Sequence, residues 1–586
     1  MPSKKTNQFI QMWHRLRPYL LRERKLIGLT LVIVPIISAL NLFQPYLVKV
    51  AVDQHILKKD LLGLRWIVLW YLLLFSSEYI LNYLQILLMQ LTGQRIIFNL
   101  RKDLFTKIQH LRRSFLEKAP TGVTVSRVTS DCDVINEMFS SGIISLGWDF
   151  FRLILIVSMM LYLNVKLALV AFSILPILIL CVQFLRKRLH QGYGQVRKVW
   201  AHLNGFVQEH IQGIRIIQLF IQEKQTNKEF ARINDEYRDV VMKTVNNDAA
   251  LYAVVEALAS VALGLMIWYG SGQWLRSQLS LGVLIAFIEY VQRFFVPIRD
   301  LSAKVAVIQS AQISTERIFT LLEEPTEASA ETTNKTPFRP FTGAIQFENT
   351  AFSYQPGKPV LNGVSFKIEK GERIGLVGVT GSGKTTIFKL LGRHYPLTGG
   401  RILIDGASLN DATLTTVRRW FCYVPQDVFL FSGTVLDNIR LFDDRFSLTK
   451  VEEVVKKTGI GALIDSLEGG YQFKISSNGG NLSMGQRQLV ALARAFLFET
   501  AVLLLDEVTS YMDPQTSQMI QQALQSLSQD GRTLVISSHR LSTLKNVDRM
   551  IILHQGKIQD IGNPKELAGR ENVLSHLSEV MAKLSA

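Results

Sequence analysis

The chain has 586 residues, 48% of them hydrophobic, and a formal net charge of +17. That length is too great for a single core, and at least two domains are expected. The apolar stretches crowd the first half while the second half has the composition of a soluble domain, which excludes one uniform soluble globule and predicts a membrane domain followed by a soluble one. The basic excess sits beside the apolar stretches, as in "RLRPYLLRERK" and "RKRLHQGYGQVRK", so membrane-flanking cations explain it better than a nucleic-acid partner. Cys132, Cys181 and Cys422 are scattered without CxxC spacing, and neither a disulfide framework nor a zinc site is expected.

The first 25 or so residues are polar and basic, so a cleavable signal peptide is not expected. Phe9, Trp13, Leu16 and Leu20 recur there at helical spacing between Arg15, Arg17, Arg22 and Arg24. Either an interfacial amphipathic helix or a soluble helix packed on its neighbour fits that pattern. Six stretches then reach the roughly 20 residues needed to cross a bilayer: Leu26 to Val48, Leu64 to Leu88, Ile143 to Leu163, Leu167 to Leu185, Ala249 to Trp274 and Leu281 to Val305. Glu289, Arg293, Arg299, Asp300 and Lys304 interrupt the last. The segments after the second and fourth spans are long, rich in Arg and Lys, and apolar at helical spacing, so long helices are expected to project into the cytoplasm together with both chain ends.

Near residues 321–342 the pattern dissolves into a linker rich in Pro, Thr and charge, "EEPTEASAETTNKTPFRPFT". From Gly343 short strand-like runs alternate with helices, as an α/β nucleotide-binding core requires. The stretch Gly378, Val379, Thr380, Gly381, Ser382, Gly383, Lys384, Thr385, Thr386 satisfies G-x-x-x-x-G-K-[ST], between the strand "RIGLVG" and the helix "TTIFKLLGRHY". Backbone N–H groups and the helix N-terminus can cradle phosphate oxygens there, Lys384 can reach the β- and γ-phosphates, and Thr385 can ligate Mg²⁺. Farther on, "TAVLLLDE" is a buried-strand pattern ending in Asp506 and Glu507. Asp506 is suited to hold Mg²⁺ through water and Glu507 to polarise the water that attacks the γ-phosphoryl group.

With these motifs the chain resembles an ABC transporter half-subunit of the exporter type over nearly its whole length. Tyr354 in "FSYQPGKPVL" stands where that family stacks an aromatic on adenine. Gln426 in "YVPQDVFLF" matches the Q-loop, "LSMGQRQ" from Leu482 the LSGGQ signature, "DEVTSYMD" the Walker B and D-loop run ending in Asp513, and His539 in "ISSHRLST" the switch histidine. The resemblance implies ATP and Mg²⁺ as cofactors, with Glu507, His539 and Gln426 catalytic and Thr385, Gln426 and Asp506 around the metal. It also implies an α-helical membrane domain of six transmembrane helices with long cytoplasmic extensions, followed by an α/β P-loop ABC ATPase domain. The divisions expected are residues 1–25, 26–320, 321–342 and 343–586. "TGVTVSRVTSDCDVI" from Thr121 and "GIRIIQLFIQE" from Gly213 resemble the family's cytoplasmic coupling regions.

In that family the signature of one subunit faces the Walker loop of another, so a dimer is implied. Ser483, Gly485 and Gln486 stand, but Met484 replaces the first signature glycine. A methionine there can crowd the partner's nucleotide, since glycine serves where backbone approaches a ligand closely or takes φ > 0; it can also be tolerated, with Ser483 and Gly485 making the contacts. The combination resembles the consensus-site chain of heterodimeric exporters, with a homodimer as the alternative. The function implied is ATP-driven export or flipping of a drug-like or lipid amphiphile across the cytoplasmic membrane, with a homodimeric lipid flippase or an ATP-gated sensor or channel as alternatives. Glu78, Asp149, Arg152, Glu256, Glu289 and Arg293 fall where hydrocarbon is expected and suggest a substrate pathway. Asp149 and Arg152 are spaced to pair on one helix face, and Glu256 with Glu289 suggests a cationic amphiphile.

Overall fold

The computed structural model describes residues 3–327, 341–507, 514–529, 531–538, 544 and 547–568. It forms two compact units, residues 1–109 with 121–324 and residues 110–120 with 325–586.

The first unit is helical throughout. Its helices are α1 (Ser3–Arg22), α2 (Arg24–Val50) and α3 (Leu61–Gln109). The short α4 (Arg113–Leu116) falls in the second unit. Then follow α5 (Thr121–Val128), α6 (Ser130–Glu137), α7 (Ile143–Leu163), α8 (Val165–Phe172), α9 (Leu175–Gln212), α10 (Ile214–Leu219), α11 (Glu223–Leu275) and α12 (Leu281–Glu323). Among the described residues six helical stretches are long and apolar enough to cross a membrane, as expected. α3 and α11 run to 49 and 53 residues, more than twice a bilayer's need, and these are the long extensions. Caps set the short connections: the Asn164 side chain accepts from Leu167 N ahead of α8, and Ser280 accepts from Val283 N ahead of α12. On α1, Met12, Leu16 and Tyr19 are buried. Tyr19 donates to Asp103 at 2.9 Å and Arg15 pairs with Glu323 at 3.0 Å. That half of its amphipathic pattern is a packing face on α3 and α12.

The unit is apolar outside and polar at selected points inside. Leu61, Trp66, Ile80 and Tyr83 on α3 are exposed, while Glu78 on the same helix is buried. Glu78 accepts from the amides of Asn41 and Gln44. Arg293 donates to Asn41 Oδ1 at 2.7 Å and Gln44 Oε1 at 2.9 Å, and Arg152 reaches Asn41 Oδ1 at 3.1 Å. Helices α2, α3, α7 and α12 thus share one hydrogen-bonded cluster, the arrangement that makes charge tolerable at such depth. Asp149 does not pair with Arg152; its partner is Lys304 on α12. Glu289 lies 3.6 Å from Arg293 one turn along its own helix.

The second unit is built on strands β1 (Ile345–Gln355), β2 (Lys358–Ile368), β3 (Arg373–Val377), β4 (Gly399–Ile404), β5 (Ala407–Ser408), β6 (Phe421–Val424), β7 (Gly433–Thr434), β8 (Lys474–Ile475), β9 (Val502–Asp506), β10 (Thr533–Ser537), β11 (Arg549–His554) and β12 (Lys557–Gly562). Its helices are α13 (Lys384–Leu391), α14 (Leu414–Trp420), α15 (Val435–Arg440), α16 (Leu448–Thr458), α17 (Gly461–Ser466), α18 (Met484–Leu497), α19 (Pro514–Gln529) and α20 (Pro564–Ala568). The main sheet runs β12-β11-β3-β10-β9-β6, parallel from β11 to β6. A four-stranded antiparallel sheet, β2-β1-β4-β5, stands beside it. Strands β3, β9 and β10 are apolar on both faces and almost wholly buried, the pattern of a parallel sheet covered on both sides. Ligands in such sheets bind beyond the carboxyl ends of the strands, which is where β3, β9 and β10 deliver Gly378, Glu507 and Ser538.

Candidate functional site

The loop from Gly378 to Gly383 turns β3 into α13. A Cβ on Gly378 would lie 2.4 Å from the Leu553 carbonyl oxygen, and Gly383 takes φ of 107° immediately before the helix. Both positions therefore demand glycine. Lys384 opens α13 with its ammonium drawn back over the loop, 2.7 Å from Gly378 O and 3.3 Å from Val379 O. Its Nζ is also 4.0 Å from Glu507 Oε1. Burial lowers the Lys384 pKa, and the Glu507 and Asp506 carboxylates oppose that shift. Ser382 Oγ is buried without a hydrogen-bond partner, an orphaned polar atom of the kind a phosphate oxygen would satisfy. Thr385 is exposed on the first turn of α13, and Thr386 Oγ1 is 3.2 Å from Tyr354 Oη.

The carboxylates arrive on β9. Asp506, 3% exposed, accepts from Ser537 Oγ through Oδ1 and from Tyr423 Oη through Oδ2 at 3.1 Å. Glu507 follows with φ of 49°, a left-handed conformation that is uncommon outside glycine and costs about 1 kcal/mol or more. Its N–H donates to Ser537 O at 3.1 Å. The turn aims the Glu507 carboxylate at the lysine of the phosphate loop.

Tyr354 lies at the penultimate position of β1 beside this loop, edge-on to Tyr395 at 5.1 Å between centroids, and Lys389 Nζ lies 5.7 Å from its ring centre. Glu117 accepts from Lys389 Nζ at 3.0 Å and from Tyr395 Oη at 2.7 Å. These contacts hold Glu117 below the ordinary carboxylate range against its burial. The segment that joins the nucleotide-binding unit between α3 and α5 is therefore residues 110–120 with α4, upstream of the stretch beginning at Thr121, which packs in the helical unit. Gln426 is exposed and its carbonyl accepts from Gln488 Nε2 at 3.2 Å.

Ser483 caps α18: its hydroxyl accepts from Gln486 N, and Gln486 Oε1 accepts from Ser483 N at 2.8 Å. Met484 is the first helical residue, so a positive φ is no reason for glycine there and only close approach to a ligand remains. A Cβ on Gly485 would fall 2.3 Å from Thr516 Cγ2, so any larger residue forces Thr516 to shift. Among the described contacts none joins Ser483, Gly485 or Gln486 to the phosphate loop. Asp513 and His539 lie outside the described residues. Sequence reasoning missed Ser537 and Tyr423, whose hydroxyls are unremarkable in sequence and gain meaning only from strand order.

Residues 27–298 match the ABC transporter transmembrane region family and residues 361–510 the ABC transporter family. A probable multidrug resistance ABC transporter ATP-binding/permease protein of Bacillus subtilis, YheH, is 34% identical over 87% of this chain and 75% of its own length. The chain belongs to the ABC transporter family. An ATP-dependent lipid A-core flippase of Syntrophus aciditrophicus is 31% identical over 98% of this chain and 96% of its own. The fold of a bacterial Atm1-family ABC exporter with ATP bound matches with a TM-score of 0.78 at 24% identity, over 96% of this chain and 98% of that one. As a member of this exporter group, the ABC chain carries fused membrane and ATP-binding domains and couples ATP hydrolysis to transport.

Proposed function

We propose that this chain is one half of a dimeric exporter that moves a drug-like or lipid amphiphile out of, or across, the cytoplasmic membrane. The observation that carries the reading is the junction of Lys384 Nζ and Glu507 Oε1 at 4.0 Å in a chain that also has six apolar helices long enough to span a bilayer. Tyr354 stacks the adenine; the backbone of residues 378–386 and Lys384 hold the phosphates. Thr385, Gln426 and Asp506 hold Mg²⁺. Bound Mg-ATP supplies the phosphoryl group whose transfer to water drives the cycle. Glu507 orients that water and draws off its proton. His539 and Asp513 keep the roles that the family resemblance implies.

Closure of two nucleotide-binding domains favours one facing of the membrane cavity only through its differential affinity for ATP. The second subunit supplies the signature that faces this chain's phosphate loop. A protein partner is also favoured by apolar side chains left exposed in residues 211–221, among them Ile216, Leu219, Phe220 and Ile221, and by Phe429 and Phe442 in the other unit. Met484 favours a heterodimer whose partner has an unaltered signature. The Arg and Lys excess beside the long helical extensions favours a cytoplasmic nucleotide-binding unit and N-terminus. Multidrug and lipid A-core relatives support an amphipathic substrate.

The deciding experiment expresses the chain alone in nanodiscs and records oligomeric mass with Mg-ATPase rate. A monomer, or a dimer with almost no turnover, supports the heterodimer. A dimer that hydrolyses ATP through Glu507 overturns it in favour of a homodimer. ATP-dependent accumulation of a fluorescent amphiphile in inside-out vesicles separates a pump from a sensor or channel, which would show none.

A further inference from the structure

Tyr423 lies on β6, paired in parallel with Leu504 of β9. In a strand, residues two apart share a face, so Leu504 and Asp506 present their side chains on the same side and a long residue beside Leu504 can lean forward to Asp506. Tyr423 does so: its hydroxyl donates to Asp506 Oδ2 at 3.1 Å while Phe388 of α13 packs on its ring at 6.0 Å between centroids. Ser537 Oγ occupies the other carboxylate oxygen from β10. The Asp506 carboxylate is thereby held from both flanking strands, one donor on each oxygen. An ionised carboxylate has about four lone-pair sites, so two remain free after these bonds.

We infer that Tyr423 is a positioning residue for the metal site, fixing the rotation of the Asp506 carboxylate so that its unused lone pairs stay directed at the cation. This rests on the reading of Asp506 as an Mg²⁺ holder. Groups that orient a metal-binding side chain from behind are worth roughly 10- to 100-fold in metal affinity. A buried phenol also needs an acceptor for its own sake, and in that case Asp506 would serve Tyr423 and the metal site would be indifferent to the hydroxyl.

The test uses the full-length protein in nanodiscs with Mn²⁺ and ADP, reading Mn²⁺ occupancy from its electron paramagnetic resonance signal. Tyr423→Phe removes only the hydroxyl and keeps the ring on Phe388. It is expected to weaken Mn²⁺ binding about 10-fold while leaving ADP binding in EDTA unchanged. Tyr423→Leu, which also removes the ring, controls for packing. Mn²⁺ affinity within twofold of wild type in Tyr423→Phe overturns the inference, and a loss confined to Tyr423→Leu assigns the residue to packing. Asp506→Asn separates the two readings: if it binds Mn²⁺ normally, the metal role of Asp506 itself is wrong, whereas if it loses the metal and Tyr423→Phe does not, only the role of Tyr423 fails.

Discussion

The two units solve opposite solvent problems with the same residues. In the helical unit Trp66, Ile80 and Tyr83 face outward and the carboxylate of Glu78 is hidden among Asn41, Gln44 and Arg293. In the nucleotide-binding unit Val502 to Leu505 are buried to the last atom, and charge gathers where the strands end, at Lys384, Asp506 and Glu507. Lipid gives apolar surface no reason to hide and gives a carboxylate every reason to; water reverses both preferences. A buried charge is consequently a packing solution in the first unit, and in the second it gathers at the strand ends where the proposed ATP site lies.

The largest effect separates those two kinds of charge. Glu507→Gln should lower the ATPase rate roughly 100-fold or more while ATP still binds, measured by turnover beside nucleotide binding; a variant that keeps most of its rate would remove Glu507 from the proton-handling role. Next, Arg293→Ala should leave Asn41, Gln44 and Glu289 short of their cation and cost about 3–5 kcal/mol, read as a lowered unfolding temperature of the reconstituted protein, with Arg293→Lys recovering part of the loss. An unchanged transition would show that water, rather than Arg293, satisfies the cluster.

A third prediction concerns pH and the second unit alone. Burial pushes the His394 imidazole down to about 4, and the nearby Arg113 guanidinium pushes the same way. Between about pH 4 and the ordinary value of 6.5 the unfolded chain therefore holds a proton that the folded unit refuses. Stability should be full above pH 6.5 and fall as the pH drops through that window, by at most ~3 kcal/mol. His394→Gln should flatten the profile between pH 7.5 and pH 5 in thermal unfolding, and an unaltered slope would place the acid sensitivity elsewhere. A smaller effect is expected from Gly485→Ala, where the added methyl meets Thr516 and shifts the start of α18 at about 1–3 kcal/mol. Met484→Ala at the neighbouring position should leave the unfolding temperature within about 0.5 kcal/mol of wild type, since Met484 already sits in helical backbone.

The spans, the phosphate loop and the Asp506–Glu507 strand end were legible because each is written in contiguous residues: about 20 apolar side chains for a bilayer, a fixed glycine spacing for a phosphate cradle, an apolar run for a buried strand. What lay beyond the sequence was every relation between distant segments. The ion pair that Asp149 makes is with Lys304, because α12 packs beside α7 there. Residues 110–120 join the nucleotide-binding unit through Glu117, Lys389 and Tyr395, and hydroxyls from β6 and β10 meet on Asp506. Local patterns follow from backbone period and solvent preference, which act within one turn or one strand. Ion-pair partners and the donors around a carboxylate depend on which strands and helices become neighbours, and that is settled only when the whole chain packs.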